Sequence, residues 1–303
     1  MNNAIMKDKF ISSDLFKSFG IKICFCDIGA SEGLGGPWKL LDEGIITTIG
    51  FEPDKKEYEK LVAKYPDSTY YNIGLWSEPC TRNYYLTQQD YYNDFKHGTS
   101  GMYPPNVPKI SLNYGDIDKG RAVEKIVKVP CDALDNVLGN NPVIPDFVKM
   151  DTQGAEYEIL KGARGLLSQN APIVTLETWN EDIYKDVPLV HKVMALMDEY
   201  GYQLYKTAIA VGRFYATDKS VHCISRDSGH ELFYVKKYDQ MHMMTDEQLI
   251  KQIAILEVFG FRDYSVFLAK NLKIINEKTA AKILDNLYTN GQNMNQEYAK
   301  IRY

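Results

Sequence analysis

Apolar and polar positions alternate between strand-like and helix-like periods over the first two thirds of the chain. Ile21–Asp27 is a short apolar run, Ile-Lys-Ile-Cys-Phe-Cys-Asp, that ends in an acid and leads into glycines. A run of that length reads as a parallel strand buried on both faces. Trp38–Glu43 can form a short helix closed near Gly44, and Ile45–Phe51 is a second β-rich run that again ends in an acid, Glu52. Lys55–Tyr65 has helical spacing and stops before Pro66, while Thr69–Leu75 is a third strand candidate. Three strands alternating with helices predict a parallel sheet.

The rhythm fails between Trp76 and Val127, where Gly98, Gly101, Pro104, Pro105 and Pro108 interrupt polar residues and tyrosines. A long irregular insert in a compact domain is usually functional. Order returns with Val127–Cys131, a helical turn at Ala133–Leu138 and a fourth strand at Asp146–Asp151. A helix over Glu156–Leu167, a fifth strand at Ile173–Glu177 and an amphipathic helix over Leu189–Tyr200, closed by Gly201, follow. Tyr202–Thr207, and Cys223–Ile224 with Glu231–Val235, predict the last strands and a hairpin. Beyond Lys236 the period becomes helical: Thr245 and Gln248 form a capping-box pattern, and Leu249, Ile250, Ile253 and Leu256 share one face. Further helical pieces cover Asp263–Leu272 and Ala280–Tyr288. The predicted organisation is a lead segment over 1–20, an α/β domain over 21–238 with an irregular insert near 87–122, and a helical C-terminal appendage over 239–303.

Composition narrows the class. With 303 residues and 45% hydrophobic content the chain can bury one full core and a small appendage. Its 35 Lys and Arg against 40 Asp and Glu give a net charge of -5, no global attraction for a phosphate backbone, so no nucleic-acid partner is expected. Met1–Phe10 is polar and mixed in charge, and no run approaches the roughly 18 apolar residues of a spanning helix. The expectation is a cytoplasmic protein without a membrane span. Cys24, Cys26, Cys80, Cys131 and Cys223 lack a zinc spacing, and buried free thiols are the expected account.

The candidate chemistry lies at strand ends. Asp27-Ile28-Gly29-Ala30-Ser31-Glu32-Gly33 directly follows a strand, and Gly29 and Gly33 give a ligand clearance at the sheet's carboxyl edge. Glu52 ends the next strand about 20 residues further on, where a carboxylate can accept hydrogen bonds from both ribose hydroxyls of an adenosine-bearing cofactor. The dinucleotide fingerprint needs glycine at positions 31 and 34, which here hold Ser31 and Leu34. An acid such as Asp27 suits the amine-bearing methionine end of S-adenosylmethionine, whereas it would repel a pyrophosphate.

The order of segments resembles the FkbM-type methyltransferase family: Asp27-Ile28-Gly29-Ala30, Phe51-Glu52-Pro53-Asp54, Leu134-Asp135, Val148-Lys149-Met150-Asp151-Thr152-Gln153-Gly154-Ala155-Glu156 running on to Leu160-Lys161-Gly162-Ala163, and Thr175-Leu176-Glu177. The resemblance covers roughly residues 20–240. It implies a Rossmann-like class I methyltransferase fold, S-adenosyl-L-methionine as donor, and O-methylation of sugars, lipid-linked glycans or secondary metabolites. The sequence departs from the family pattern at Ser31-Glu32, which replaces Asn and an apolar residue, and at Thr152-Gln153, which replaces an apolar residue and Glu. Gln153 removes a charge from any acid/base role at that position.

On this reading a mostly parallel seven-stranded sheet, flanked by helices, holds the cofactor through Asp27, Gly29, Ala30, Ser31, Gly33, Glu52, Pro53, Asn72 and Asp151, with the acceptor under the insert. Asp151 and His97 are the catalytic candidates: the first has a fixed strand-end position, the second a pKa matched to neutral pH. Asp at a helix N-terminus also acts as a plain cap. Asp151, Glu177 and Asn180 could offer oxygen ligands to Mg2+, although hydrogen bonding accounts for the same residues and a metal is not favoured. Tyr91, Tyr92 and Tyr103 could stack on a sugar ring, and Thr99 and Ser100 could close over the site. The amphipathic tail could cover a hydrophobic edge or pair subunits of a homo-oligomer. Two other readings stay open. An NAD(P)-dependent oxidoreductase would use the same acidic strand end, but it lacks the glycines and a Tyr-x-x-x-Lys pair, since Tyr58 is followed by Val62 and Tyr234 by Tyr238. A non-catalytic module would bind a nucleoside or a protein.

Overall fold

The apolar run after Lys22 forms β1, Ile23–Ile28, and all of its residues are buried, as a central strand covered on both faces requires. The computed structural model describes residues 14–31, 44–87, 99–113, 120–139, 144–170, 172–219 and 221–292. They fall into two compact units, the first lying within Cys24–Gly35 and Thr48–Lys236.

The first unit is built on β1 with β2 (Ile46–Phe51), β3 (Thr69–Tyr71), β7 (Phe147–Met150), β8 (Ile173–Trp179), β9 (Tyr202–Arg213) and β10 (Arg226–Lys236). These form a seven-stranded sheet of order β3-β2-β1-β7-β8-β10-β9. β1 runs parallel to β7, β7 to β8 and β2 to β3, while β10 is antiparallel to both β8 and β9. This is the mostly parallel, doubly wound α/β sheet expected from the alternating periods. The strand order reverses between β1 and β7, and a crevice at such a point, outside the strands' carboxyl ends, is where open α/β sheets bind ligands. Helices α2 (Lys55–Lys64), α4 (Leu134–Leu138), α5 (Glu156–Lys161), α6 (Arg164–Gln169) and α7 (Val190–Glu199) follow strands in the βα rhythm. Cys24, Cys26, Phe51, Val148, Leu160, Leu176 and Met197 join one buried core.

The structure departs from the sequence reading in several elements. Thr69–Leu75 is two strands, β3 and β4 (Gly74–Leu75), that join different sheets. The insert is less irregular than its composition suggests. β5 (Cys80–Thr87) and β6 (Val123–Asp132) pair antiparallel and, with β4 parallel to β6, make a second, three-stranded sheet. Much of β5 and β6 is only partly buried, so polar side chains are tolerated and no continuous apolar run marks them. The short α3 (Val107–Ile110) also lies in the insert. The helix expected over Glu156–Leu167 is two helices, interrupted at Gly162, where a β-carbon would stand 2.2 Å from the Trp76 carbonyl oxygen. Cys223 and Ile224 precede β10 instead of belonging to a strand, and both are exposed. The helix expected at Trp38–Glu43 lies outside the described residues.

The second unit contains α1 (Asp14–Phe19), a 3-10 turn (Tyr238–Met243), α8 (Asp246–Val258), α9 (Arg262–Asn271) and α10 (Glu277–Gln292). The predicted capping box is present: the Thr245 N–H donates to Gln248 Oε1 at 2.9 Å, and the Gln248 N–H donates to Thr245 Oγ1 at 3.2 Å. Leu249, Ile253 and Leu256 are buried. α1 is tied to α10, where Lys282 Nζ donates to the Ser18 carbonyl at 2.6 Å and lies 4.3 Å from the Phe19 ring centre. No described helix is long and apolar enough to cross a membrane.

Candidate functional site

Three strand ends converge at the reversal point. The Asp151 N–H donates to the Ile28 carbonyl at 2.9 Å, and the N–H groups of Gly29 and Ala30 both reach the Phe51 carbonyl, at 3.1 and 3.3 Å. Gly29 has a φ of 80°, and a β-carbon there would stand 2.0 Å from the Asp151 carbonyl oxygen. The clearance that the sequence reading assigned to a ligand is thus needed first by the protein's own backbone. Ala30 is buried and Ser31 half-buried at the turn that follows; Gly33 lies outside the described residues.

Two acids sit at the ends of β1 and β2. Asp27 is buried and its Oδ1 accepts from Lys149 Nζ at 3.1 Å. Burial pushes the Asp27 carboxyl upward and Lys149 offsets this only in part. Burial works against the Lys149 ammonium, but the attraction of Asp27 and Asp151 overcomes it and keeps Lys149 charged. Glu52 Oε1 accepts from the Asp54 N–H at 2.7 Å, and Glu52 makes no other side-chain hydrogen bond among the described residues. Burial, against that one stabilising hydrogen bond, pushes its carboxyl up to about 8. Asn72 donates to the carbonyls of Glu52 at 2.8 Å and Pro53 at 3.2 Å, so its amide fixes the segment that carries Glu52.

At the ends of β7 and β8 a buried polar network links residues far apart in sequence. Gln153, in the left-handed region at a φ of 58°, donates through Nε2 to Asp151 Oδ1 at 2.9 Å and to Glu177 Oε2 at 3.0 Å. Its Oε1 accepts from the Tyr184 hydroxyl at 2.6 Å, and that hydroxyl in turn accepts from Arg121 Nη1. Burial, then the Asp151 charge, push the Glu177 carboxyl well above the ordinary range, with Arg121 as a partial offset. Glu156, pushed up to about 7 chiefly by burial, accepts from the N–H and hydroxyl of Thr152, both at 2.8 Å.

The remaining candidates separate. The Asn180 amide donates to the Asp227 carbonyl at 2.8 Å and lies 3.2 Å from His230 Nε2, so it braces β8 against β10. Among the described residues no three His, Cys, Asp or Glu side chains are grouped to hold a metal. Thr99 Oγ1 donates toward Thr87 Oγ1 and the Gly120 carbonyl, Ser100 Oγ accepts from the Thr87 N–H, and the Thr99 carbonyl lies 3.3 Å from the Tyr184 hydroxyl. This stretch therefore borders the network. Tyr103 packs on Trp76 with ring centres 5.8 Å apart. His97, Tyr91 and Tyr92 lie outside the described residues. Arg121 and Tyr184 stand in no motif and carry no local sequence signal. In sequence Gln153 shows only as a missing charge, although the amide is what allows one side chain to donate to two carboxyls and accept from a phenol.

Residues 27–204, more than half of the chain, match the model of the methyltransferase FkbM domain family. Among solved structures, methyltransferase FkbM from Methylobacillus flagellatus KT is 15% identical with a TM-score of 0.37, covering 70% of this chain and 43% of that one. The chain thus spans less than half the length of that relative. A TehB-like SAM-dependent methyltransferase from Corynebacterium glutamicum is 8% identical with a TM-score of 0.36, covering 76% of this chain and 90% of that one. Precorrin-6y C5,15-methyltransferase from Geobacter metallireducens is 10% identical with a TM-score of 0.35, covering 76% and 94%. No curated protein matches the chain. With the segments between Asp27 and Leu204 matched as one domain, the chain belongs to the FkbM methyltransferase family.

Proposed function

We propose that the protein transfers a methyl group from S-adenosylmethionine to a hydroxyl oxygen of a small acceptor of the sugar, glycan or secondary-metabolite kind. The observation that carries this reading is Glu52, a buried carboxyl group at the end of β2 beside the Gly29 turn, with one of its oxygens unengaged among the described residues. Such a group fits the two hydroxyls of a ribose, which would donate to it. Glu52 would hold the ribose, Asn72 and Pro53 would keep Glu52 in place, and the Gly29–Ser31 turn would border the rest of the cofactor. Asp27 Oδ1 is engaged by Lys149, so any contact of Asp27 with the cofactor's amine falls to Oδ2.

The cofactor supplies an electrophilic methyl on a sulfonium. The chain's own contribution is alignment and a destination for one proton. Were the methyl to pass from the sulfonium to the acceptor oxygen, with the broken carbon–sulfur bond's electron pair left on sulfur as a thioether, Asp151, whose Oδ1 is held by Gln153, would take the proton that the oxygen gives up. His97 is the alternative acceptor of that proton. Alignment alone can lower such a barrier by roughly 7–11 kcal/mol, and a placed base adds about 100 to 10,000-fold. Calorimetry with S-adenosylmethionine against NADH tests the cofactor, and labelled-methyl transfer to a panel of hydroxylated acceptors tests the reaction. Asp151→Asn should lower the maximal rate with cofactor affinity intact. Preferential binding of NADH would defeat the reading, and a damaging His97→Ala beside a silent Asp151→Asn would reassign the base.

A further inference from the structure

Two cysteines far apart in sequence face each other across the second sheet. β5 and β6 pair antiparallel with Cys80 directly opposite Cys131, and the register continues with Thr81 opposite Pro130 and Arg82 opposite Val129. Directly opposite residues put their side chains on the same face of the sheet. The Trp76 N–H donates to the Asp132 carbonyl at 2.9 Å, on the side of β6 that pairs with β4. Strand alternation therefore turns the Cys131 N–H and carbonyl the other way, toward Cys80. Such a hydrogen-bonded pair has its Cα atoms about 5.5 Å apart, inside the roughly 4.4–6.8 Å that a disulfide spans.

The two thiols differ in access. Cys80 opens β5, an edge strand of its sheet, and is half-buried, whereas Cys131 is buried. Cys131 Sγ lies 3.9 Å from Met102 Sδ and 3.8 Å from the Val129 carbonyl oxygen, and a β-carbon on Gly74 would stand 2.8 Å from it. Burial, then the Cys80 side chain beside it, push the Cys131 thiol up to about 12, with Arg82 working the other way. Cys131 thus keeps its proton at neutral pH, and Cys80 is the sulfur that an oxidant from solvent reaches first. The other cysteines have no such arrangement. Cys24 and Cys26 are buried together in β1, and Cys223 is exposed outside any strand.

We infer that Cys80 and Cys131 are a peroxide-responsive pair that closes a reversible cross-strand disulfide. This modification site lies outside the methyl-transfer reading and does not depend on it. In the first step the Cys80 sulfur, having lost its proton, attacks one oxygen of hydrogen peroxide. The O–O bond breaks, Cys80 becomes a sulfenic acid, and the departing hydroxide takes up the proton to give water. The Cys131 sulfur then bonds to the Cys80 sulfur, the S–O bond breaks, and the oxygen leaves as a second water with the Cys131 proton. Two thiols are oxidised to one disulfide while one peroxide is reduced to two waters.

Opposite β-carbons in a sheet stand about 4.5–5.5 Å apart, and a disulfide draws them to about 3.8 Å. The strands must close by roughly 1 Å, so the bond is readily reopened by a thiol reductant. While closed, it makes residues 81–130 one covalent loop. That loop carries Thr99 and Arg121, both in contact with the Tyr184 hydroxyl of the buried network, so oxidation constrains the insert that borders the site.

Peptide mapping of the full chain tests the inference. Reduced protein is treated with hydrogen peroxide, raised until the exposed Cys223 is oxidised. Remaining thiols are then capped with N-ethylmaleimide in denaturant, and the digest is mapped without reduction by mass spectrometry. The expected result is a linked peptide pair holding Cys80 and Cys131, with loss of both capped thiols and their return after dithiothreitol. Cys80→Ser should abolish the link and leave Cys131 capped, whereas Cys131→Ser should leave a Cys80 sulfenic acid that dimedone traps. Capped Cys80 and Cys131 beside an oxidised Cys223 overturn the inference. So does Cys80 passing to sulfinic or sulfonic acid with Cys131 unlinked, or a link from either of them to Cys223. If a serine variant fails to fold, the map of the unsubstituted protein still decides.

Discussion

The carbonyl oxygen of Asp151 fills the space that a β-carbon on Gly29 would need, 2.0 Å from where that carbon would stand. The two residues end neighbouring strands, and the hydrogen bond from Asp151 N–H to the Ile28 carbonyl holds them in register. Gly29→Ala must therefore part β1 from β7 and also place alanine at a positive φ. We expect a loss of about 2–4 kcal/mol in urea unfolding, together with weakened cofactor binding. Unchanged stability would mean that the turn can move aside freely.

Cofactor binding should depend on pH through Glu52. Its carboxyl, raised by burial to about 8, holds a proton at neutral pH, and ribose hydroxyls donating to the ionised form require that proton to leave. Affinity should rise with pH from 6 toward 8, by up to about tenfold per unit, and level off above. Glu52→Ala should weaken binding by about 1.5–3 kcal/mol at pH 8 and flatten the profile. Calorimetry across pH checks both; an unchanged dissociation constant in the folded variant removes Glu52 from the ribose site.

Glu156 makes a separate prediction about stability. Its folded-state pKa is raised from 4.5 to about 7, so the folded protein holds a proton that the unfolded chain has released between those values. The associated stability is complete below 4.5 and is lost as pH rises through about 7. Glu156→Gln keeps an oxygen to accept from Thr152 and cannot ionise. Relative to the unsubstituted protein it should gain roughly 2–3 kcal/mol between pH 5 and pH 8 in denaturant melts. Parallel pH profiles for the two proteins would contradict the assignment.

Gln153→Glu places a third carboxyl against Asp151 and Glu177 and removes their shared N–H donor. The variant should be less stable by roughly 2–4 kcal/mol at pH 8, with the loss shrinking as pH falls and the new carboxyl is protonated. A fall in kcat with cofactor affinity intact would mark Gln153 as positioning Asp151. Equal loss of both would mark a purely structural role.

Much of the fold could be read along the chain because it is written in local pattern. Buried strands such as Ile23–Ile28 need continuous apolar runs, and helices such as Lys55–Lys64 carry their own cap and stop. The acids at positions 27, 52 and 151 were legible for a related reason, since a charged residue closing an apolar run marks a strand's end. The second sheet was not, because strands with partly exposed faces tolerate polar residues and give no such run. The network of Arg121, Gln153, Glu177 and Tyr184 was legible only in fragments. Tyr184 and Gln153 are joined across 31 positions, and Arg121 and Tyr184 across 63. Sequence alone determined which residue types stand at the strand ends; tertiary structure decided which of them meet. Hydrogen bonds between side chains depend on a few ångströms of relative placement, and that placement is set by strand order and loop packing, neither of which leaves a local signature.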